Sequence, residues 1–320
     1  MPFRLALCVA IVLASHSSAR GMDRIRIAVS NPNMPNLTSA AAQKKGFFKD
    51  EGIDAEIIRM NPNVSITALA TGDIDYSQLF AAVVGGAIAG LPMRIVAGFM
   101  TKWPLVLIAR PEFKSMKDLR GKTLGVSSYG ATPEIAARAI FKHFGIDAEK
   151  EIKVLALGSD LARITALKAK VVDVIITSPP ADAQMEKLGY NVLARAQEFF
   201  NVPYLGLGAH TKKIKERADE ARRVIRATLK ANRYIYDNRD GAAQLLVEWG
   251  KVEREFAYLS YDGVRNLFNL DGSVPDDGMK QVIDQATKAA KIARDISPAE
   301  VADFTILREA QRDLGLKGKP

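Results

Sequence analysis

The sequence predicts an α/β protein built as two lobes, and three observations carry that expectation. Short apolar strand runs alternate with helical runs along the first half of the chain, the alternation restarts once after Arg110-Pro111, and from Lys212 onward the pattern turns almost purely helical. Strand–helix alternation of this kind marks a sheet with helices on both faces. The 320 residues suffice for two domains at roughly 150 residues each. With 48% hydrophobic and 25% charged residues the chain can bury a sizeable core, which excludes disorder, a collagen repeat and a coiled coil.

Arg4 is the only charge in residues 1–19 and precedes an apolar run over 5–14 and a small, polar stretch over 15–19. A basic start, a short apolar core and small residues before a cut describe a secretory signal peptide, 1–19, cleaved before Arg20. The run is too short to span a bilayer. Cys8 lies inside the run rather than just after it, so no lipid anchor is expected. Cleavage removes this single cysteine and lowers the formal charge from +9 to +8. Without disulfides, the exported chain depends on burial within large domains.

The mature sequence opens with a strand over 24–29 and a turn-rich loop over 30–36. Thr38 or Ser39 caps a helix over 40–48, which Gly52 ends before a strand over 55–60. A helix over 64–71 stops at Gly72, a strand over 74–78 follows, a helix over 81–89 stops at Gly90, and a strand over 94–99 completes the first unit. The second unit reads as a strand over 123–126, a loop over 127–132, a helix opened by Pro133 and ending at Phe144, a strand over 153–157, a helix over 160–170, a strand over 174–177 and a helix over 181–188. The helical return places Ile214, Ala218, Ala221, Ile225, Thr228 and Ile235 on one face at spacings of three and four. Further helices are predicted near 241–249, 263–268, 277–293 and 298–314. The expected domains are one discontinuous lobe, 20–105 with 205–320, and a second lobe, 106–204.

These residues offer little to catalysis. His143 and His210 stand 67 positions apart, and neither has a neighbouring His, Cys or carboxylate pair with metal-ligand spacing. A nucleophile elbow, a Walker A sequence, HExxH and an EF-hand loop are all absent from the sequence. No catalytic residue, metal or cofactor is expected. Residues 212–239 hold ten basic side chains against four acidic ones, yet these lie opposite the apolar stripe and lack interleaved aromatics. That pattern fits a solvated helix face better than a nucleic-acid surface.

Two loops running from a strand end into a helix start are stronger candidates. The first carries Asn31, Asn33 and Asn36, and the second carries Ser127, Ser128, Tyr129 and Thr132. Free N–H groups at a helix start attract carboxylate, sulfonate or phosphate, and ligands of open α/β sheets collect at such strand ends. Trp103, next to Lys102 at the first crossing between lobes, and Tyr204 at the return crossing could each stack on a ligand or simply pack. Arg163 reads as a surface helix arginine, with reach toward the cleft as the alternative.

Four blocks occur in order: Gly46-Phe47-Phe48-Lys49-Asp50-Glu51-Gly52-Ile53, Ala68-Leu69-Ala70-Thr71-Gly72-Asp73-Ile74-Asp75, Asp118-Leu119-Arg120-Gly121-Lys122-Thr123-Leu124-Gly125-Val126, and Ala166-Leu167-Lys168-Ala169-Lys170-Val171-Val172-Asp173. Together they resemble the nitrate/sulfonate/taurine-type substrate-binding proteins of ABC importers, the NMT1/THI5-like family, from about Ile25 to Leu314. The resemblance implies a type II periplasmic-binding-protein fold: two α/β lobes, a two-stranded hinge and a ligand cleft between them. It implies that the cleft is bordered by 30–36, by 77–80 with Gln78 and Phe80, by 127–132 and by the Ser178-Pro179 turn. It further implies a periplasmic monomer that captures a small organic anion by hinge closure and passes it to an inner-membrane permease with its ATPase. An exported enzyme or a sensor-type receptor using the same cleft are the alternatives. One departure stands out, because relatives usually carry glycine where this chain has Lys170.

Overall fold

The computed structural model describes residues 21–316, and the expected signal segment lies outside them. The first lobe opens with β1 (Asp23–Val29), α1 (Leu37–Lys44), α2 (Phe47–Asp50), β2 (Ile53–Arg59), α3 (Pro62–Thr71), β3 (Tyr76–Ser77), α4 (Phe80–Ile88) and β4 (Met93–Gly98). The second contains β5 (Val106–Ala109), β6 (Thr123–Val126), α5 (Thr132–His143), α6 (Ala148–Glu151), β7 (Lys153–Ala156), α7 (Asp160–Lys168), β8 (Val174–Thr177), α8 (Ala181–Lys187) and β9 (Asn191–Arg195). The chain then returns through β10 (Gly206–His210) into α9 (Thr211–Glu216), α10 (Ala218–Asp237), α11 (Arg239–Gly250), α12 (Arg254–Val264), α13 (Asp276–Ala289), α14 (Pro298–Val301) and α15 (Thr305–Asp313). No helix among the described residues is long and apolar enough to cross a membrane.

Two five-stranded sheets result, ordered β2-β1-β3-β10-β4 and β7-β6-β8-β5-β9. Each has a parallel core, β2-β1-β3 in one and β7-β6-β8 in the other, as strand–helix–strand units require. Next to each core lies one antiparallel strand, β10 or β5. Both are the first strand after a crossing, so the chain enters each sheet from the opposite lobe and runs against its neighbours. The crossings pair with each other: Phe99 and Met100 donate to the Leu205 carbonyl at 2.7 and 3.1 Å, Tyr204 donates to that of Met100 at 3.2 Å, and Ala196 to that of Leu105 at 2.8 Å. On α10, buried Asn232 fixes the start of the first crossing, its amide donating to the carbonyls of Phe99 and Asn269 while its oxygen accepts from Thr38.

The sequence pattern identifies the parallel strands but misses β5, β9 and β10. A four-residue apolar run such as that of β5 has no resolvable period. Strand β10 is glycine-rich for a steric reason: a Cβ at Gly206 would stand 2.6 Å from the Phe80 ring and clash with the Ala97 carbonyl. Thr38 and Ser39, expected as caps, lie buried inside α1, which Asn36 precedes. The helix expected near 263–268 begins earlier, as α12, and continues into a 3₁₀ turn at Arg265–Leu267. The helix expected over 298–314 divides into α14 and α15, because Ala302 bridges Ile95 and Asp303 donates to the Ile95 carbonyl.

The basic face of α10 differs most from expectation. Ala218 is exposed, while Glu220 is buried, accepting from Tyr76 at 3.1 Å and from Lys213 at 2.8 Å and pairing with Arg217 at 3.0 Å. Arg223 pairs with Asp23, and Arg226 and Lys230 with Glu51. Burial of Glu51 opposes its ionisation, but the bonds from Arg226 and Lys230 outweigh it and hold the carboxyl below its ordinary value. Much of the positive charge therefore ties α10 to the first sheet.

Lys170 explains its own departure from glycine poorly. It follows α7 in the left-handed region, φ 59°, the conformation Gly72 supplies after α3 at φ 84°. A side chain there costs about 1 kcal/mol relative to glycine. Lys170→Gly should therefore raise unfolding stability by about 1 kcal/mol in urea denaturation, with ligand affinity unchanged.

Candidate functional site

The strand ends and crossings enclose a groove of about 820 Å³ between the lobes. The first lobe contributes 30–31, 59–63 and 79–82, together with one face of α13; the second contributes Ser127, 129–133, 158–160 and Arg163. Leu105, Tyr204 and Leu205 line it from the crossings.

Its polar centre is built at the start of α7. Ser159 caps that helix, its hydroxyl accepting from the Ala162 N–H at 3.2 Å, so Asp160 falls in the first turn, where the helix dipole favours a carboxylate. Arg163, one turn on, pairs with Asp160 and donates to the Gly158 carbonyl. Arg163 is 1% exposed, which makes it the largest departure from the expected surface arginine. A guanidinium so buried needs a paired anion. Asp160 also accepts from Thr177 Oγ1 at 3.1 Å, from Ser178 Oγ at 3.4 Å and, across the cleft, from Asn33 Nδ2 at 3.1 Å. Asn33 Nδ2 reaches Ser178 Oγ as well, at 2.9 Å, and Asn33 Oδ1 accepts from Asn36 Nδ2 at 2.7 Å. Asn33 thus joins the lobes directly.

The donors facing the groove are less occupied than this carboxylate. Arg163 Nε and the Ser127 hydroxyl are buried without a hydrogen-bond partner among the described residues, as is the neighbouring Ser128 hydroxyl behind the lining. Burial, together with the Asp160 charge, pushes the Tyr204 phenol well above its usual range, against a smaller opposing effect of Arg163. Tyr204 therefore remains a protonated donor. At the start of α5 the first turn holds buried Glu134, whose carboxylate accepts the Gly130 N–H and pairs with Arg138. Both helix starts therefore carry a carboxylate–arginine pair, Glu134–Arg138 at α5 and Asp160–Arg163 at α7.

Of the side chains proposed from sequence, Asn31, Phe80, Ser127, Thr132 and Tyr204 line the groove. Asn33 and Ser178 form the bridge to Asp160, and Asn36 holds Asn33. Ser128 lies beside the lining residues without bordering the groove. Trp103 is buried against Phe200, ring centres 5.8 Å apart, away from the groove. Gln78 is fully buried at the end of β3, and neither of its side-chain polar atoms has a partner among the described residues. Asp160 was absent from the sequence-based set. The signal was present in Ser159-Asp160 followed three positions on by Arg163, a capped helix start whose first-turn acid can reach a base one turn later.

Two α/β lobes, a paired double crossing and a groove at the strand ends are the architecture of the periplasmic-binding-protein fold. Residues 34–242 match the family described as NMT1/THI5 like, and the chain belongs to that family. A putative binding protein of Bacillus subtilis, YtlA, is 22% identical over 232 residues, 70% of this chain and 69% of that protein. The periplasmic nitrate-binding protein NrtA from Synechocystis PCC 6803 superposes with a TM-score of 0.76 at 15% identity, covering 92% of this chain and 89% of that one. A putative sulfonate ABC transporter, periplasmic sulfonate-binding protein SsuA from Methylobacillus flagellatus KT, gives 0.71 at 16% identity, covering 93% and 96%.

Removing the carboxylate that neutralises Arg163 should be costly. Asp160→Ala is expected to lower unfolding stability by about 3 kcal/mol, read from the shift in urea midpoint at constant slope.

Proposed function

We propose that this chain is the solute-binding component of an ABC importer, which takes a small organic anion such as a sulfonate or carboxylate into the inter-lobe groove and presents it to a membrane permease. One observation carries the reading: donors line the groove with unspent capacity, while its principal acceptor is full. Asp160 already receives bonds from four side chains, whereas Arg163 Nε and Ser127 Oγ have no partner among the described residues. A ligand rich in acceptors fits that imbalance. Membership of the NMT1/THI5-like family supports the same reading, as do the nitrate- and sulfonate-binding names of the two superposed structures.

The division of labour follows from geometry. We assign 20–105 with 205–320 to one lobe and 106–204 to the other, with the crossings as the hinge. A ligand touching Asn31 on one side and Ser127 and Arg163 on the other, with Tyr204 at the crossing between them, stabilises the closed arrangement only through contacts made on closing. Binding rather than turnover is favoured because the groove's carboxylate is committed to four donors and neither His143 nor His210 borders the groove. In this reading residues 1–19 direct export, and a monomer acts in the periplasm.

Calorimetry with nitrate, sulfate, short alkanesulfonates and short carboxylates tests the proposal, with scattering recorded on the same samples. A binding anion should reduce the radius of gyration, and Tyr204→Phe should weaken it about tenfold, the effect of losing a hydrogen bond to a charged group. Binding without compaction, or recovery of a chemically altered ligand, would contradict it.

A further inference from the structure

Outside the groove the two lobes meet again, along α12. This first-lobe helix packs against α8 of the second lobe and against the turn over 34–36, which Asn33 caps. Near its C-terminal end it reaches the junction: the Gly263 carbonyl accepts from Gln197 Nε2 at 3.2 Å, and the Gln197 carbonyl accepts from Lys102 Nζ of the first crossing at 3.4 Å. At its N-terminal end Glu255 pairs with Lys187, the last residue of α8.

The position of that pair along α12 gives it leverage. Gly263 lies eight positions after Glu255, about 12 Å at a rise of about 1.5 Å per residue. A rotation of the lobes about the junction, unless its axis runs along α12 itself, moves Lys187 and Glu255 apart further than Gln197 and Gly263. Lys187 makes a second contact there, its Nζ standing 5.3 Å from the centre of the Phe256 ring, a cation over an aromatic face. One second-lobe side chain thus meets both a carboxylate and a ring of the first. The bond from Glu255 holds the Lys187 ammonium above its ordinary value, so Lys187 stays a cation at neutral pH. None of Lys187, Glu255 and Phe256 borders the groove.

We infer that Lys187 and Glu255 form a latch between the lobes, made on closing, that strengthens ligand binding from outside the groove. The inference rests on the hinge-closing reading above and adds positioning residues that set affinity without touching the ligand. A ligand that binds only the closed arrangement has its apparent affinity scaled by the closed fraction, and the contacts between α8 and α12 raise that fraction. An exposed ion pair with its cation over a ring is worth about threefold to tenfold in such an equilibrium. Side-chain exposures of 61% and 52% leave the pair open to screening, so added salt weakens the latch.

Lys187→Met, Glu255→Gln, the double variant and Lys187→Arg in the full mature chain test it, by calorimetry with ethanesulfonate and scattering on ligand-free protein. Met and Gln keep the reach of the exposed side chains they replace, so folding is not at stake. Each single variant should weaken ethanesulfonate about threefold to tenfold and raise the ligand-free radius of gyration, as high salt should in the wild type. The double variant should be no weaker than either single one, and Lys187→Arg should bind as the wild type does. Unchanged affinity in both single variants, or single effects that add in the double variant, overturns the latch. Failure of ethanesulfonate to bind the wild type overturns the anion reading instead, and the radius of gyration of the ligand-free variants then decides the latch alone. Ethanesulfonate that binds without compaction overturns the hinge-closing reading and the latch with it.

Discussion

Asp160 accepts from four directions: Arg163 on its own helix, Thr177 and Ser178 at the end of β8, and Asn33 from the other lobe. Burial of Arg163 depends on that carboxylate, since an unpaired guanidinium in the protein interior is expensive. The Asn33 contact depends on the lobes being together. One side chain therefore couples the interior of the second lobe to the separation of the two bodies. Because its acceptor capacity is taken by protein donors, what remains available there is the donor capacity of Arg163 Nε and Ser127 Oγ, the observation that supports the anion proposed above.

The rest of the fold keeps that coupling in register. The two crossings are hydrogen-bonded to each other, and Asn232 fixes that junction to α10 through the Phe99 carbonyl. Ion pairs from Arg223, Arg226 and Lys230 then fix α10 to Asp23 and Glu51 at the far end of the first sheet. Exposed pairs contribute little individually, but Glu51 is largely buried and receives two cations, so its removal would strand both.

Much of this was legible in the sequence, and the exceptions have physical causes. Periodicity and glycine stops located β6 and β8 and the helices between the parallel strands, since these obey local rules. Strands β5 and β10 were missed because a four-residue apolar run and a glycine-rich run carry no resolvable strand period, and Gly206 in particular serves the Phe80 ring rather than the strand. The strand-end loops placed Asn31, Ser127 and Thr132 at the groove, the return crossing offered Tyr204, and the family resemblance added Phe80. It placed Arg163 on the surface, because its burial depends on a carboxylate three residues earlier and on Asn33, 130 positions away. Burial of Glu220 has a related cause: its partners Tyr76 and Lys213 come from different elements.

The claim most exposed to test is that ligand and the Asn33–Asp160 bridge act together to hold the lobes closed. Val64 and Leu161 are exposed, 55% and 72%, on helices whose first turns border the groove from opposite lobes. Nitroxide labels at Val64→Cys and Leu161→Cys, in a mature chain lacking Cys8, report their separation by pulsed dipolar spectroscopy. The account predicts a single narrow distance with a bound anion, and a broader, longer distribution without it that Asn33→Ala broadens further. Distributions unchanged by anion and by Asn33→Ala would contradict it.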